Sequence, residues 1–346
     1  MEQIRVPVVD CEDKPLMPCT PVRARLLLKR EKADARWSKL GVFYIQLRIA
    51  KKPSNQPLAV GVDPGSKFEG FSVVGTRDTV LNVMSEAVTW VKDAVEQRRM
   101  MRRARRYRKT RCRTCRSNRL GRGLPPSTKA RWDAKLRIVG QLQRILPLST
   151  AVVEDAKART KPGQKRWNLG FSPLEAGKKY FYNSLRKTSL NVVVRQGYET
   201  KKLRRRFHLK KMRCKSAKAF ESHCVDSWAL AASETGAKKP TTKSLFYLVP
   251  LRWHRRQLHR LQPSKGGRRR YGGTVSLGLK RGTLVRWHGR CYVGGNLNGK
   301  FSLHGLDGKR VTQNARRSDF RLLTTIAFRG RFLPALKGRV SLGGIR

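Results

Sequence analysis

The sequence predicts an α/β fold. Apolar runs of strand length alternate with longer helical stretches, and three of these elements carry an isolated acid in a chain with 22 Asp and Glu against 79 Lys and Arg. The run Pro57-Leu58-Ala59-Val60-Gly61-Val62 is bounded by the turn residues Pro64-Gly65-Ser66 and reads as a buried strand. Asp63 closes it. A carboxylate at such a tip is costly to desolvate unless it is paired or bound to a metal. A second strand, Phe68 to Val74, and a third, Thr79 to Val83, follow at the short spacing of a meander.

An acid on the first of three such strands is how a ribonuclease-H-like core begins. Two further acids extend the pattern. The apolar run Ser149-Thr150-Ala151-Val152-Val153 ends in Glu154, and in Ser222-His223-Cys224-Val225-Asp226 an acid follows a His by three residues. The i, i+3 spacing puts His223 and Asp226 on one helical face, and the alanines from Ala229 to Ala232 favour a helix there. Taken singly, Glu154 or Asp226 reads better as a cap or a salt-bridge partner among so many Arg. As an ordered set, carboxylates on two strands and a helix are the hard oxygen ligands that a two-Mg²⁺ phosphodiester site requires.

Composition points to the substrate. A net charge of +57 and a pI near 11.5 exceed what solubility demands and imply a large polyanion, nucleic acid by default. A hydrophobic content of 39% is enough for a core, so a simple basic tail is excluded, and 346 residues suggest two or more compact units. Neither a membrane-length apolar stretch nor a signal-peptide pattern at Met1-Glu2-Gln3-Ile4-Arg5 is present, and seven Cys without a framework fit a reducing compartment. The expected location is a prokaryotic cytoplasm, on the nucleoid.

The charge is concentrated in one run. Arg98, Arg99, Arg102, Arg103, Arg105, Arg106, Arg108, Lys109, Arg111, Arg113, Arg116 and Arg119 follow one another without an intervening acid. Such a segment repels itself when free, and is expected to form an ordered helix where phosphates lie along it. A localisation-type tail has the same composition, but tails sit at termini. This run lies between the third strand and a helical stretch from Lys129 to Ile145, which favours a bridge buried in RNA.

Here the sequence resembles a family. Lys14-Pro15-Leu16-Met17-Pro18, then Gly61-Val62-Asp63-Pro64-Gly65-Ser66, the Arg-rich run, Val152-Val153-Glu154, Gly197-Tyr198-Glu199-Thr200 and His223-Cys224-Val225-Asp226 occur in the order found in the IsrB family. These proteins are the short relatives of the transposon-encoded RNA-guided nuclease IscB, the apparent ancestor of the CRISPR type II effectors. The resemblance implies that Asp63, Glu154 and the His223–Asp226 pair are the acids and His of the three RuvC segments, holding two Mg²⁺ ions. It also makes the Arg-rich run the bridge helix against the guide. The implied partners are a large ωRNA and a target DNA duplex read as guide heteroduplex and displaced strand, with no membrane and a monomeric protein in the ribonucleoprotein. IscB carries an HNH nuclease between its second and third RuvC segments. Here the 71 residues between Glu154 and Asp226 contain only His208 besides His223, too little for such a site. The resemblance therefore implies a nickase of the non-target strand.

The fold expected is an α/β, RNase H-like (RuvC) core interrupted by an Arg-rich bridge helix, with a small N-terminal PLMP domain and a C-terminal small β-barrel-like domain. The corresponding segments are 1–55 (PLMP), 56–92 (RuvC part I), 93–122 (bridge), 123–160 (RuvC part II), 161–189 (RNA-contacting insertion), 190–236 (RuvC part III) and 237–346 (C-terminal domain, touching RNA and the target-adjacent motif). Trp167, Phe171, Tyr180, Phe181 and Tyr182 in the insertion suit either stacking on nucleic acid or a small core. In the C-terminal part, five strands between Thr283 and Ile326 with Gly turns suggest a small barrel or sandwich. Cys112 and Cys115 form a lone CxxC, short of the four ligands zinc takes, and read as incidental. Two other readings share these features: a structure-specific RuvC-like resolvase that needs no RNA, and a non-catalytic RNA-binding protein.

Overall fold

The computed structural model describes residues 5–51, 55–107, 124–155, 173–214, 216–251, 261–262, 267–268 and 275–335. The chain opens with a small α/β unit. Strands β1 (Val6–Val9) and β2 (Pro15–Cys19), helix α1 (Pro21–Lys29), and strands β3 (Ala33–Trp37) and β4 (Phe43–Leu47) build a four-stranded sheet in the order β2-β1-β4-β3. Pro15-Leu16-Met17-Pro18 is thus strand β2 itself. It lies at the sheet edge, where a residue without an N–H costs no ladder hydrogen bond on its open side. The buried carboxylate of Asp10 shapes the β1–β2 turn, its Oδ1 accepting from the amides of Glu12 (2.9 Å) and Lys14 (2.8 Å).

The core is a seven-stranded sheet. Its first part is the expected antiparallel meander, β5 (Leu58–Asp63), β6 (Phe68–Gly75) and β7 (Thr79–Glu86). Helices α2 (Trp90–Tyr107) and α3 (Pro126–Gln143) follow. Strand β8 (Thr150–Asp155) then pairs parallel to β5, helix α4 (Pro173–Arg186) crosses, and β9 (Asn191–Gln196) pairs parallel to β8. Two more helices, α5 (Gly197–Arg206) and α6 (Phe220–Thr235), complete this part. The elements expected from hydrophobic patterning are all present, each within a few residues of its expected bounds.

Two strands from the expected C-terminal segment belong to this sheet as well. Strand β10 (Leu245–Pro250) runs parallel to β7. After it come two short ladders, β11 (Leu261–Gln262) with β12 (Gly267–Arg268) and β13 (Val275–Ser276) with β14 (Leu279–Lys280). Strands β15 (Thr283–Trp287), β16 (Gly289–Leu297), β17 (Lys300–Gly305), β18 (Arg310–Ala315) and β19 (Arg321–Thr325) form a separate antiparallel sheet, and β20 (Phe328–Leu333) returns to pair with β10. The central order is β20-β10-β7-β6-β5-β8-β9, a mixed sheet consistent with a ribonuclease-H-like core. The second sheet runs β18-β17-β16-β15-β19. Among the described residues its outer strands do not pair with each other, so its ladders form an open five-stranded sheet where a small barrel or sandwich was expected. Gly-rich turns set strand number and spacing but not closure, which needs a matched tilt and stagger.

Strand parity assigns the two faces of the core. Leu58, Val60 and Val62 of β5, with Phe71 and Val73 of β6, pack under α3 and α4 through Trp132, Ile138, Leu142, Phe181 and Leu185. The opposite face carries Ala59, Val74 and Met84 and is covered by α6 through Cys224, Val225, Trp228 and Ala231. Of the insertion's aromatic residues, Phe181 is fully buried in tilted contact with Trp132, while Tyr180 and Tyr182 donate to Asp133 (2.6 Å) and Asp155 (3.0 Å). These three hold the fold together, whereas Trp167 and Phe171 lie outside the described residues. None of the described helices is long and apolar enough to cross a membrane.

Candidate active site

Residues Ala59, Gly61 and Asp63 share one face of β5 by the two-residue period of a strand. That face is the one α6 covers. On β8 the same period puts Glu154 opposite Val153, which faces α3 and α4, and therefore on the α6 side. Asp226 sits in the second turn of α6, buried, on the helix that closes over both strand ends. Strand parity and the placement of α6 thus send all three carboxylates to one place. Their ligand oxygens lie within 4.8 Å of one another.

Such proximity requires a helix seated very low on the sheet. A Cβ at Gly61 would overlap the carbonyl oxygen of Ser227, and one at Gly70 the carbonyl oxygen of His223. Only glycine at these two positions lets the α6 backbone touch β5 and β6 directly. Polar anchors then fix its rotation. Ser72 Oγ donates to the Cys224 carbonyl (3.3 Å) and lies 2.9 Å from Ser227 Oγ, and the Trp228 indole donates to Thr79 Oγ1 at 2.8 Å.

The electrostatics are those of crowded acids, with Asp226 buried and Asp63 and Glu154 half-buried. Burial pushes the Asp63 carboxyl above the usual carboxylate range, and Asp226 adds to this while Lys211 and His223 oppose it. Burial, the charge of the neighbouring Asp63 and the hydrogen bond the two side chains share raise Glu154 to about 8. Two cations answer this negative charge. Arg204, in the last turn of α5, donates to Asp226 Oδ1 at 2.6 Å. Lys211 donates to Asp226 Oδ2 and stands 3.8 Å from Asp63 Oδ2. An all-carboxylate set of hard oxygen donors fits a divalent cation such as Mg²⁺, which is bound through carboxylates rather than nitrogen or sulfur.

His223 lies on α6 one turn before Asp226, as the spacing predicts. Its ring rests against Phe68, with centroids 5.1 Å apart, and its charge is felt at Asp63. It stands outside the three-carboxylate cluster.

Several residues around the site were not singled out from the sequence. Lys211 and Arg204 fall in a stretch thick with Lys and Arg, where nothing marks one cation over the next. Glu69 is fully buried on β6 and pairs at 2.6 Å with the equally buried Lys135 of α3, whose ammonium also lies over the Trp132 ring. This pair ties α3 to the strand that carries Gly70. Asp155 accepts from Lys178 (2.7 Å), Tyr182 (3.0 Å) and Gln196 (3.3 Å), holding the end of β8 against α4 and the start of α5. The Glu199 carboxylate accepts from the Gln196 amide at 2.6 Å and caps α5, the helix that delivers Arg204. A sequence signal existed for Glu69, a lone acid in the apolar strand β6.

The Arg-rich run is helical as far as Tyr107. Arg98, Arg99, Arg102 and Arg103 are exposed on α2, and Arg105 and Arg106 lie on the same helix. Arg108, Lys109, Arg111, Arg113, Arg116 and Arg119, with Cys112 and Cys115, lie outside the described residues.

Comparison with known proteins gives one family and a set of distant structures. A family model described as RRXRR protein matches residues 6–166. No curated protein matches the chain. Among solved structures the chain is similar to T. thermophilus RuvC in complex with a Holliday junction substrate, at 12% identity over 52% of this chain and 97% of that one, with a TM-score of 0.30. It is also similar to the yeast mitochondrial Holliday junction resolvase Ydc2, at 11% identity over 52% of this chain and 78% of that one, with a TM-score of 0.28. The RRXRR match spans Arg102-Arg103-Ala104-Arg105-Arg106 and takes in the small N-terminal unit, the meander, α2, α3 and β8, so it includes Asp63 and Glu154 and stops before α4.

Proposed function

We propose that this chain is an RNA-guided, Mg²⁺-dependent DNA nickase, in which an ωRNA selects the target and a single RuvC-type site cuts the non-target strand. The observation that carries the nuclease part is the convergence of Asp63, Glu154 and Asp226 on the α6 side of the sheet. Phosphodiester hydrolysis needs a place where negative charge is held in readiness for divalent ions, and this basic chain gathers three of its few acids there. The RRXRR match over the first half of the chain and the exposed Arg of α2 support a nucleic-acid substrate.

Asp63, Glu154 and Asp226 would hold the ions, which when bound polarise the scissile phosphate and lower the pKa of the attacking water. Arg204 fixes one oxygen of Asp226 and so directs the other inward. His223, on the same face of α6, would assist the attacking water or the scissile phosphate. Arg98, Arg99, Arg102 and Arg103 supply phosphate contacts along the guide, while base pairing supplies the sequence. Glu154 and Asp226 are separated by α4, β9 and α5, and Asp63, Glu154 and Asp226 are the only carboxylate cluster of this kind among the described residues. One site should cut one strand.

The test is a cleavage assay on a guide-matched duplex with each strand labelled separately, using protein purified with its RNA. A nick confined to the displaced strand, dependent on the RNA and on Mg²⁺, is the expected result. Cutting of branched DNA by RNA-free protein would instead favour a structure-specific resolvase.

A further inference from the structure

Among the described residues Lys211 is the one cation that reaches two of the three carboxylates. Its ammonium donates to Asp226 Oδ2 and stands 3.8 Å from Asp63 Oδ2, while Arg204 meets only Asp226. The two cations are held differently. Arg204 projects from a capped helix. Lys211 projects from the loop between α5 and α6, whose backbone is tied on either side of it by Leu209 N to Arg204 O (3.0 Å) and Met212 N to Glu221 O (2.8 Å). Its side chain is 33% exposed against 5% for Asp226, so the four-carbon stem runs from solvent into the pocket and can leave by the same path.

The oxygen that Lys211 holds belongs to one of the three carboxylates that would hold an ion in this pocket. An ammonium and a divalent ion cannot both sit on Asp226 Oδ2, because they would repel at contact distance. Removal of the ammonium without a destination is also unfavourable, but a strand bound for cleavage at this site would bring a phosphodiester oxygen to the mouth of the same pocket. Resting on the nuclease reading above, we propose that Lys211 is an exchangeable counter-cation. It closes the carboxylate set in the ion-free protein and transfers to a phosphate of the bound strand as the ions enter. Ion loading and strand binding are then coupled through one side chain, and by linkage each strengthens the other. An RNA-bound but target-free complex would carry few ions, which keeps a nuclease that is packed against its own RNA quiet until a strand arrives.

The experiment is a Mn²⁺ titration followed by electron paramagnetic resonance, on the full chain with its RNA, with and without a short single-stranded DNA. With the Lys211-closed form in about tenfold excess, the wild-type apparent affinity should rise roughly tenfold when the DNA is added. Lys211→Met should bind Mn²⁺ about tenfold more tightly than wild type without DNA, and DNA should add little. Lys211→Arg keeps the charge and the fold if the Met variant does not. A guanidinium grips a carboxylate through two N–H groups, so this variant should bind Mn²⁺ more weakly than wild type. Asp63→Asn separates the two levels of the reading. If wild type with DNA shows no Mn²⁺ site that Asp63→Asn loses, the metal centre fails and the exchange with it. If that site exists but Lys211→Met and Lys211→Arg leave its affinity and its DNA dependence unchanged, the exchange alone is overturned.

Discussion

The carboxylate pocket and helix α2 use the same cation chemistry in opposite ways. In the pocket, Arg204 and Lys211 are spent on acids of the protein itself, and burial, with the neighbouring acids adding to it, pushes the Asp63 and Glu154 carboxyls toward the protonated form. On α2, Arg98, Arg99, Arg102 and Arg103 lie in water with no acid after Glu96 to answer them. The pocket is therefore short of positive charge and the helix short of negative charge. What the pocket lacks is compact and divalent; what the helix lacks is an extended polyanion. On the function proposed above, a nuclease built around its own RNA would need both deficits kept apart, since free Arg beside the carboxylates would compete for the ion positions.

The largest effect should come from the pocket. Asp63→Asn, Glu154→Gln or Asp226→Asn should lower nicking by at least about a thousandfold. Affinity for RNA and DNA should stay within a factor of a few if, as proposed, these acids serve the ions alone. Gel-based cleavage and filter binding on the same preparations measure the two separately. Full cleavage by Glu154→Gln would remove that residue from the site.

The next effect concerns the seating of α6. Gly61→Ala places a methyl group against the Ser227 carbonyl, and Gly70→Ala places one against that of His223. Each should destabilise the protein by about 3 kcal/mol, the upper end of what overpacking costs, and should lift Asp226 away from Asp63. Calorimetry and Mn²⁺ affinity should fall together. A variant that melts like wild type would show that the helix can ride higher without loss, and the glycines would then not be the cause of the short carboxylate separation.

How much of this contrast could be read from the sequence differs between its two sides. Asp63 and Glu154 were legible because an acid at the end of an apolar run is a local anomaly, and strand parity then fixes its face. His223 and Asp226 were legible from helical spacing. The cations were not, since Lys211 reaches Asp226 across a loop whose path depends on how α5 and α6 dock, and neighbouring residues carry the same charge. The pair Glu69–Lys135 spans two elements 66 residues apart and has no local signature on the Lys side. The return of β10 and β20 to the central sheet was hidden for a similar reason. Apolar strands of similar composition occur on both sides of the five-stranded sheet, and which sheet they join is a matter of long-range pairing.

On the side of α2, the replacement of Arg98, Arg99, Arg102 and Arg103 together by Ala should weaken RNA binding while leaving the pocket intact. If each contacts a single-stranded phosphate, the slope of log affinity against log salt should flatten by about 3 units. Loss concentrated on the cognate RNA would mark α2 as the bridge expected from the sequence. An unchanged slope would make these Arg a solvated face.

The smallest effect, and the one that touches the contrast most directly, is the pH dependence of the ion-free protein. Glu154 is raised from 4.5 to about 8 by burial and by Asp63, and Asp63 is raised as well. A carboxyl whose folded pKa lies above its unfolded value binds its proton more readily when folded. Its contribution to stability is therefore complete below about pH 4.5 and is lost as pH rises through about 8. In chelator, the melting temperature should decline across this window, and Glu154→Gln, which keeps the shape without the charge, should flatten the decline. Mg²⁺ should oppose it, because divalent ions bind the deprotonated acids and the folded state alone assembles them. The α2 quadruple variant should melt along the wild-type pH profile, since exposed Arg do not titrate in this range. If Glu154→Gln declines as steeply as wild type, the charge strain lies elsewhere in the fold, and the pocket would not be the region short of cations.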